Sequence, residues 1–93
     1  MALALLRVAQ EAMTNAYRHG HANTIKVSLR QNDKKVQLKV VDDGCGVSLK
    51  AGLATNGVGL KVMRSRMIVH HGTLSVRQIE QGTSVVASVP LDF

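Results

Sequence analysis

Between Leu3 and about Gly20 the apolar residues Leu5, Val8, Ala9, Ala12, Met13, Ala16 and Tyr17 recur at steps of three and four. That spacing gathers side chains along one face of an amphipathic helix. The same periodicity lines up Glu11, Asn15, Arg18 and His19 on another stripe, with the donors one turn after the acceptors. These four are expected to project together into one cavity. The pattern then changes period. Ile25, Val27 and Leu29 alternate with Lys26, Ser28 and Arg30, and Val36, Leu38 and Val40 alternate with Gln37 and Lys39. Alternation of this kind predicts two strands, each with one buried face. Gln31, Asn32, Asp33 and Lys34 lie between them, and turn-favouring Asn and Asp predict an antiparallel hairpin.

Ser48 to Asn56 shows no useful periodicity and contains Gly52, which suits a loop that could act as a lid. From Val58 to His71 helical spacing returns through Leu60, Met63, Met67 and either Ile68 or His71, with Gly72 placed where a helix usually stops. Leu74 and Val76, then Val85, Ala87 and Val89 alternating with Ser84, Val86 and Ser88, predict two closing strands joined near Gly82. Pro90 should end the last one. The order helix, strand, strand, loop, helix, strand, strand predicts an α+β fold, with helices packed on one face of a mainly antiparallel sheet.

Composition narrows the picture. At 93 residues the chain is one domain of modest stability, treated as a single unit because no repeat, linker or low-complexity run appears. Tyr17 and Phe93 are its only aromatics, so aliphatic side chains must fill the core. The formal charge of +6 would suit nucleic acid, but the aromatic platforms on which single strands stack are missing. An anionic small molecule or an acidic protein fits better. Cys45 stands alone, which rules out an intramolecular disulfide and suits a reducing compartment. The apolar opening from Met1 to Leu6 is too short to cross a bilayer and lacks the basic flank of a secretion signal. A chain that opens inside a helix reads as a piece of a longer protein.

The candidate chemistry lies at four places. Glu11 and Asn15 stand one helical turn apart; Asp42-Asp43-Gly44-Cys45-Gly46 closes the second strand; Gly57-Val58-Gly59-Leu60 opens the second helix; Gly82-Thr83 precedes the last strand. A magnesium-phosphate group needs oxygen ligands on a rigid element, a purine amine needs a carboxylate acceptor, and a polyphosphate needs bare backbone amides. Each place alone has a plainer reading: a solvated helix face, a strand end with its turn, or a loop before a helix. Together and in this order they point to a nucleotide site. Cys45, His19, His21 and the His70-His71 pair form no recognisable metal-ligand spacing.

These residues resemble the Bergerat-fold ATP-binding domains shared by sensor histidine kinases, type II topoisomerases, Hsp90 chaperones and mismatch-repair ATPases. Glu11 to His19 resembles the N box of that family, Asp42 to Gly46 its first glycine box, Gly57 to Leu60 its second, and Gly82-Thr83 its Gly-Thr element. The likeness covers nearly the whole chain. It implies a two-layer α/β sandwich with a mainly antiparallel mixed sheet, here lacking the family's first strand and helix. The short lid and the run from Gly59 to Arg66 look most like the nitrate/nitrite-sensor and hexose-phosphate-sensor kinases, and Gln31-Asn32-Asp33 with Gly44-Cys45-Gly46-Val47 leans toward the nitrate/nitrite sensors.

The resemblance also implies roles. Asn15 would give magnesium an oxygen, and Glu11 would sit by the γ-phosphate as the catalytic carboxylate, with Arg18 and His19 near phosphate. Asp42 would accept the adenine amine, directly and through a water that Thr83 helps to hold, while Gly44 and Gly46 let the backbone approach the base. Gly57, Gly59 and Leu60 would bring amides to the phosphates, with Lys61 as an extra cation. Arg64 and Arg66 are either surface charges or contacts to neighbouring domains. Gly20 departs from the alanine many such kinases carry.

The implied partners are ATP and magnesium, a phosphoacceptor histidine on a separate dimerisation domain, and a response regulator downstream. No nucleic acid and no direct lipid contact are implied. The parent would be a homodimer in a bacterial inner membrane, with this domain in the cytoplasm. No residue of the chain resembles the phosphoacceptor histidine, so this piece alone is expected to bind ATP without autophosphorylating. Two other readings stay open: an anti-sigma-factor serine kinase of related fold, and a non-enzymatic basic binding module with structural glycines.

Overall fold

The computed structural model describes residues 2–18, 21–44 and 57–91, with the side chains of 3–18, 21–44 and 62–91. Helix α1 spans Ala2–Arg18, followed by strands β1 (Ile25–Gln31) and β2 (Lys35–Asp42). Helix α2 (Gly57–Val69) and strands β3 (Thr73–Ile79) and β4 (Gly82–Pro90) complete it. The expected lid at 48–56, Cys45, and the expected end of α1 at Gly20 lie outside the described residues.

The strands run in the order β1-β2-β4-β3, and all three pairings are antiparallel. The register stacks Val36 on Val89, Leu38 on Ala87 and Val40 on Val85, which builds one continuous apolar face across the two central strands. Ala4, Leu5, Val8, Ala9 and Ala12 of α1 and Met67 of α2 close over that face. A helix layer on one side of a sheet is the solution the sequence predicts. The alanines let α1 lie close to the strands while keeping strong helix propensity.

Three local expectations change. Tyr17 is 74% exposed, so the apolar stripe of α1 ends at Ala16. Val27 and Leu29 are exposed, so β1 alternates without burying a face. β1 is the outer strand, paired only with β2 among the described strands, and the helices leave it largely uncovered. In α2, Met67 is fully buried and Met63 half-buried, but Ile68 and His71 both face solvent.

The end of α2 also differs in mechanism. Gly72 N–H donates to Met67 O and His71 N–H to Ile68 O, at 2.6 and 2.9 Å, while His71 takes the left-handed conformation with φ of 61°. This is a Schellman cap with histidine at the position that glycine usually fills. Gly72 is needed for another reason: a Cβ there would come within 2.6 Å of Ser88 O on β4.

Candidate functional site

The polar residues that do become buried gather at one end of the sheet, where β2 stops and β4 begins. Asp42 and Thr83 face each other across the ladder, 6% and 5% exposed. Both continue the alternation that turns Val40 and Val85 toward the helices. Asp42 Oδ1 accepts the Gly44 N–H at 2.8 Å, an Asx-type turn that bends the chain back beneath the carboxylate. Thr83 Oγ1 is buried and has no hydrogen-bond partner among the described residues. A buried hydroxyl without a partner costs on the order of 1–3 kcal/mol, so this end of the sheet suits a polar guest.

Gly82 makes the approach of β4 to β2 possible. Its φ is 118°, and a Cβ there would fall on the carbonyl oxygen of Asp42. Any side chain would push the two strands apart where Asp42 and Thr83 must meet.

A second carboxylate ties α1 to the same end. Asp43 Oδ1 accepts the N–H groups of Asn23 and Thr24 at 2.8 and 2.9 Å, and Asp43 N–H donates to Thr24 O at 3.2 Å. The backbone amides of Thr24 and Asn23 hold the Asp43 carboxyl below its ordinary value of 3.8, against a smaller opposing effect of desolvation. Ala22 N–H reaches back to Ala16 O at 3.0 Å. The last turn of α1 is thereby held a few residues from the tip of β2. Asp43 is a residue whose work sequence reasoning missed. Its bonds span nineteen and twenty positions, which no local pattern reveals.

The predicted residues divide accordingly. Asp42, Gly44 and Thr83 come together directly. Glu11 and Asn15 are half-buried on α1, and Arg18 is exposed in its final turn. The glycine pair with Leu60 and Lys61 forms the first turn of α2. The far end of α2 sits against Ser88 through Gly72, and Arg64 Nε donates to Leu74 O at 3.4 Å. His19 and Gly46 lie outside the described residues. Among the described residues no group of three or more His, Cys, Asp or Glu could hold a metal ion.

Comparison with known proteins bears on the family and the fold. The family model of histidine kinase-, DNA gyrase B- and HSP90-like ATPases matches residues 2–93, and the chain belongs to that family. The chain is 41% identical over 88 residues to the nitrate/nitrite sensor protein NarX of Escherichia coli K12, covering 94% of the chain and 14% of NarX. It is 33% identical over 88 residues to the sensor histidine kinase LiaS of Bacillus subtilis, covering 94% of the chain and 24% of LiaS. The chain thus spans a quarter or less of these relatives. Among solved structures, the Acinetobacter baumannii histidine kinase AdeS superposes with a TM-score of 0.77 at 22% identity, over 97% of this chain and 47% of that one. The ATP-binding domain of PrrB from Mycobacterium tuberculosis gives 0.74 at 24% identity, over 98% of this chain and 66% of that one. The fold is that of histidine kinase ATP-binding domains, and the antiparallel sheet with its two helices is a part of it.

Proposed function

We propose that the chain binds ATP with magnesium as the catalytic domain of a sensor histidine kinase. The observation that carries this reading is the buried pair of Asp42, a carboxylate, and Thr83, a hydroxyl with no partner among the described residues. A carboxylate accepts from the adenine amine, and the hydroxyl holds a water beside it; guanine offers a carbonyl in that place and is rejected. Gly44 would let the backbone approach the base, a role the family resemblance also gives to Gly46. The first turn of α2, from Gly57 through Gly59, Leu60 and Lys61, turns amides and a positive dipole end to the phosphates. Asn15 would give magnesium an oxygen, and the family resemblance assigns Arg18 and His19 to the phosphates. Glu11 would take up the proton released at the attacking group, or hold a water there by its carboxylate.

In the parent protein the γ-phosphoryl group passes to an imidazole nitrogen of a histidine on a separate dimerisation domain. The bond to ADP breaks as the phosphorus–nitrogen bond forms, and the imidazole proton leaves. The phosphoryl group then serves a response regulator. The likeness to NarX, a nitrate/nitrite sensor protein, supports a parent that senses nitrate or nitrite; our reading makes that parent a homodimer in a bacterial inner membrane with this domain on the cytoplasmic side. No described helix is itself long and apolar enough to cross a membrane.

Calorimetric titration with a nonhydrolysable ATP analogue, with and without magnesium, tests the site. Binding should be magnesium-dependent, and Asp42→Asn should weaken it by at least about tenfold, the cost of losing one charged hydrogen bond. Unchanged affinity in that variant would overturn the adenine assignment.

A further inference from the structure

The side of the sheet that the helices leave open gathers charges of one sign, away from the nucleotide site. Buried residues of β2 alternate with Lys35, Gln37, Lys39 and Val41, which therefore point the other way. The register sets Lys26, Ser28 and Arg30 of β1 beside Val41, Lys39 and Gln37. It sets Arg77 of β3 beside Ser84 of β4 on the same side. Lys26, Arg30, Lys35, Lys39 and Arg77 are all exposed, and they are five of the chain's twelve lysines and arginines. Among the described strand residues the rest of this face is uncharged, and the carboxylate that follows Val41 in the alternation, Asp43, is taken up by the Asn23 and Thr24 amides. The nearby acids Asp33 and Glu80 belong to the turns at its ends. Like charges gathered on one surface repel one another and set up a positive field that attracts an anionic partner.

Geometry defines what that partner presents. Lys39 stands opposite Ser28, midway along β1 between Lys26 and Arg30. Diagonal neighbours on a sheet lie roughly 7–8 Å apart, so Lys39 forms a flat triangle of cations with Lys26 and Arg30. The three line a hollow of about 390 Å³ with Ser28, Gln37 and Val41. An extended peptide repeats its side chains on one face every two residues, about 6.8 Å, which matches that diagonal. Side chains of Ser28 and Gln37 add hydrogen-bond capacity between the charges.

We infer that the open face of the sheet docks an extended acidic segment of a protein partner, with carboxylates at alternate positions seated between Lys26, Lys39 and Arg30. The face carries no aromatic side chain on which bases could stack. It also lacks the leucines and aromatics with which a protein surface enters a bilayer. This surface lies across the sheet from Asp42, so the inference does not rest on the nucleotide reading.

The test uses the 93-residue chain and a fluorescein-labelled peptide of six Glu-Ser repeats, read by fluorescence anisotropy. Binding should weaken as salt rises. Lys26→Glu/Lys39→Glu should weaken it at least about tenfold, whereas Arg7→Glu/Arg66→Glu, with the same change in net charge away from this face, should cost less than about threefold. Equal losses in the two variants would reduce the effect to net charge and overturn the inference. Tighter binding of a twelve-nucleotide single strand, or of vesicles of three parts phosphatidylcholine to one of phosphatidylglycerol, would also overturn it. Urea midpoints check that the variants fold; if the charge reversal does not, Lys26→Gln/Lys39→Gln takes its place, with a weaker loss expected and no loss again overturning the inference.

Discussion

Leu29 and Leu38 are the same residue type, on the same side of the sheet, directly opposite each other in register. Leu38 is 5% exposed and Leu29 is 64% exposed. Both sit in strands with clean alternation, so alternation reports the strand and its two sides, while burial is decided by what lies above. Over β2 lie Leu5, Val8 and Ala9; beside β1 the groove formed with Leu5, Leu6 and Ala9 stays open. The centre of the sheet is thus held by packing. Its outer strand is held by the ladder to β2 and by the bonds of Asp43 to Asn23 and Thr24.

The hardest way to break the centre is through Gly82. Alanine there must leave a positive φ and shed a Cβ that collides with the backbone of Asp42. Because the colliding atoms are main chain, relaxation means separating β4 from β2. A loss of about 3 kcal/mol is expected for Gly82→Ala, by a mechanism that combines strain and overpacking. Urea denaturation followed by circular dichroism measures it. A midpoint equal to wild type would show that the strand end adjusts freely and that the register Asp42–Thr83 is not tightly specified.

The leucine pair gives the next largest effect and addresses the contrast itself. Leu38→Ala opens a cavity beneath α1 and should cost about 2–4 kcal/mol, whereas Leu29→Ala removes side chain already in water and should cost under about 1 kcal/mol. Equal losses would mean that β1 is covered in solution, by self-association or by another segment, and sedimentation at several concentrations would separate those cases.

The same contrast explains what the sequence could reveal. Periodicity located the six described elements because helix and strand periods are local properties of a dozen residues or fewer. Asp42 and Thr83 drew attention as candidates because each stands at a strand terminus with a glycine within two residues. The exposure of β1, the exposure of Tyr17 and the left-handed His71 were not legible, since each depends on a neighbour distant in sequence or on the path of the chain after a helix ends. Gly72 drew attention as a stop signal, yet its small size serves the contact with Ser88. Asp43 was hidden for the same reason: it follows Asp42 in a stretch that reads as a turn, and its partners lie across the hairpin.

The smallest predicted effect concerns that carboxylate and the strand it tethers. The Asp43 carboxyl is held below 3.8 when folded, chiefly by the Thr24 amide. A depressed folded value means that the unfolded chain binds the proton more readily. The stabilisation is therefore fully present at pH values above the ordinary 3.8 and disappears as the pH falls through the lower folded value. Asp43→Asn keeps an oxygen for the two amides but has no charge to lose, so it should start slightly less stable at neutral pH and show a shallower decline in acid. Because the bonds reach Asn23 and Thr24, protonation should release the start of β1 before the centre. Amide exchange followed by NMR between pH 5 and pH 3 should then show protection lost at residues 23 to 26 while Val36, Leu38 and Val40 keep theirs. Loss of protection in both strands at one pH would mean that β1 and the core open as a single unit, and that packing rather than the Asp43 tether holds the outer strand.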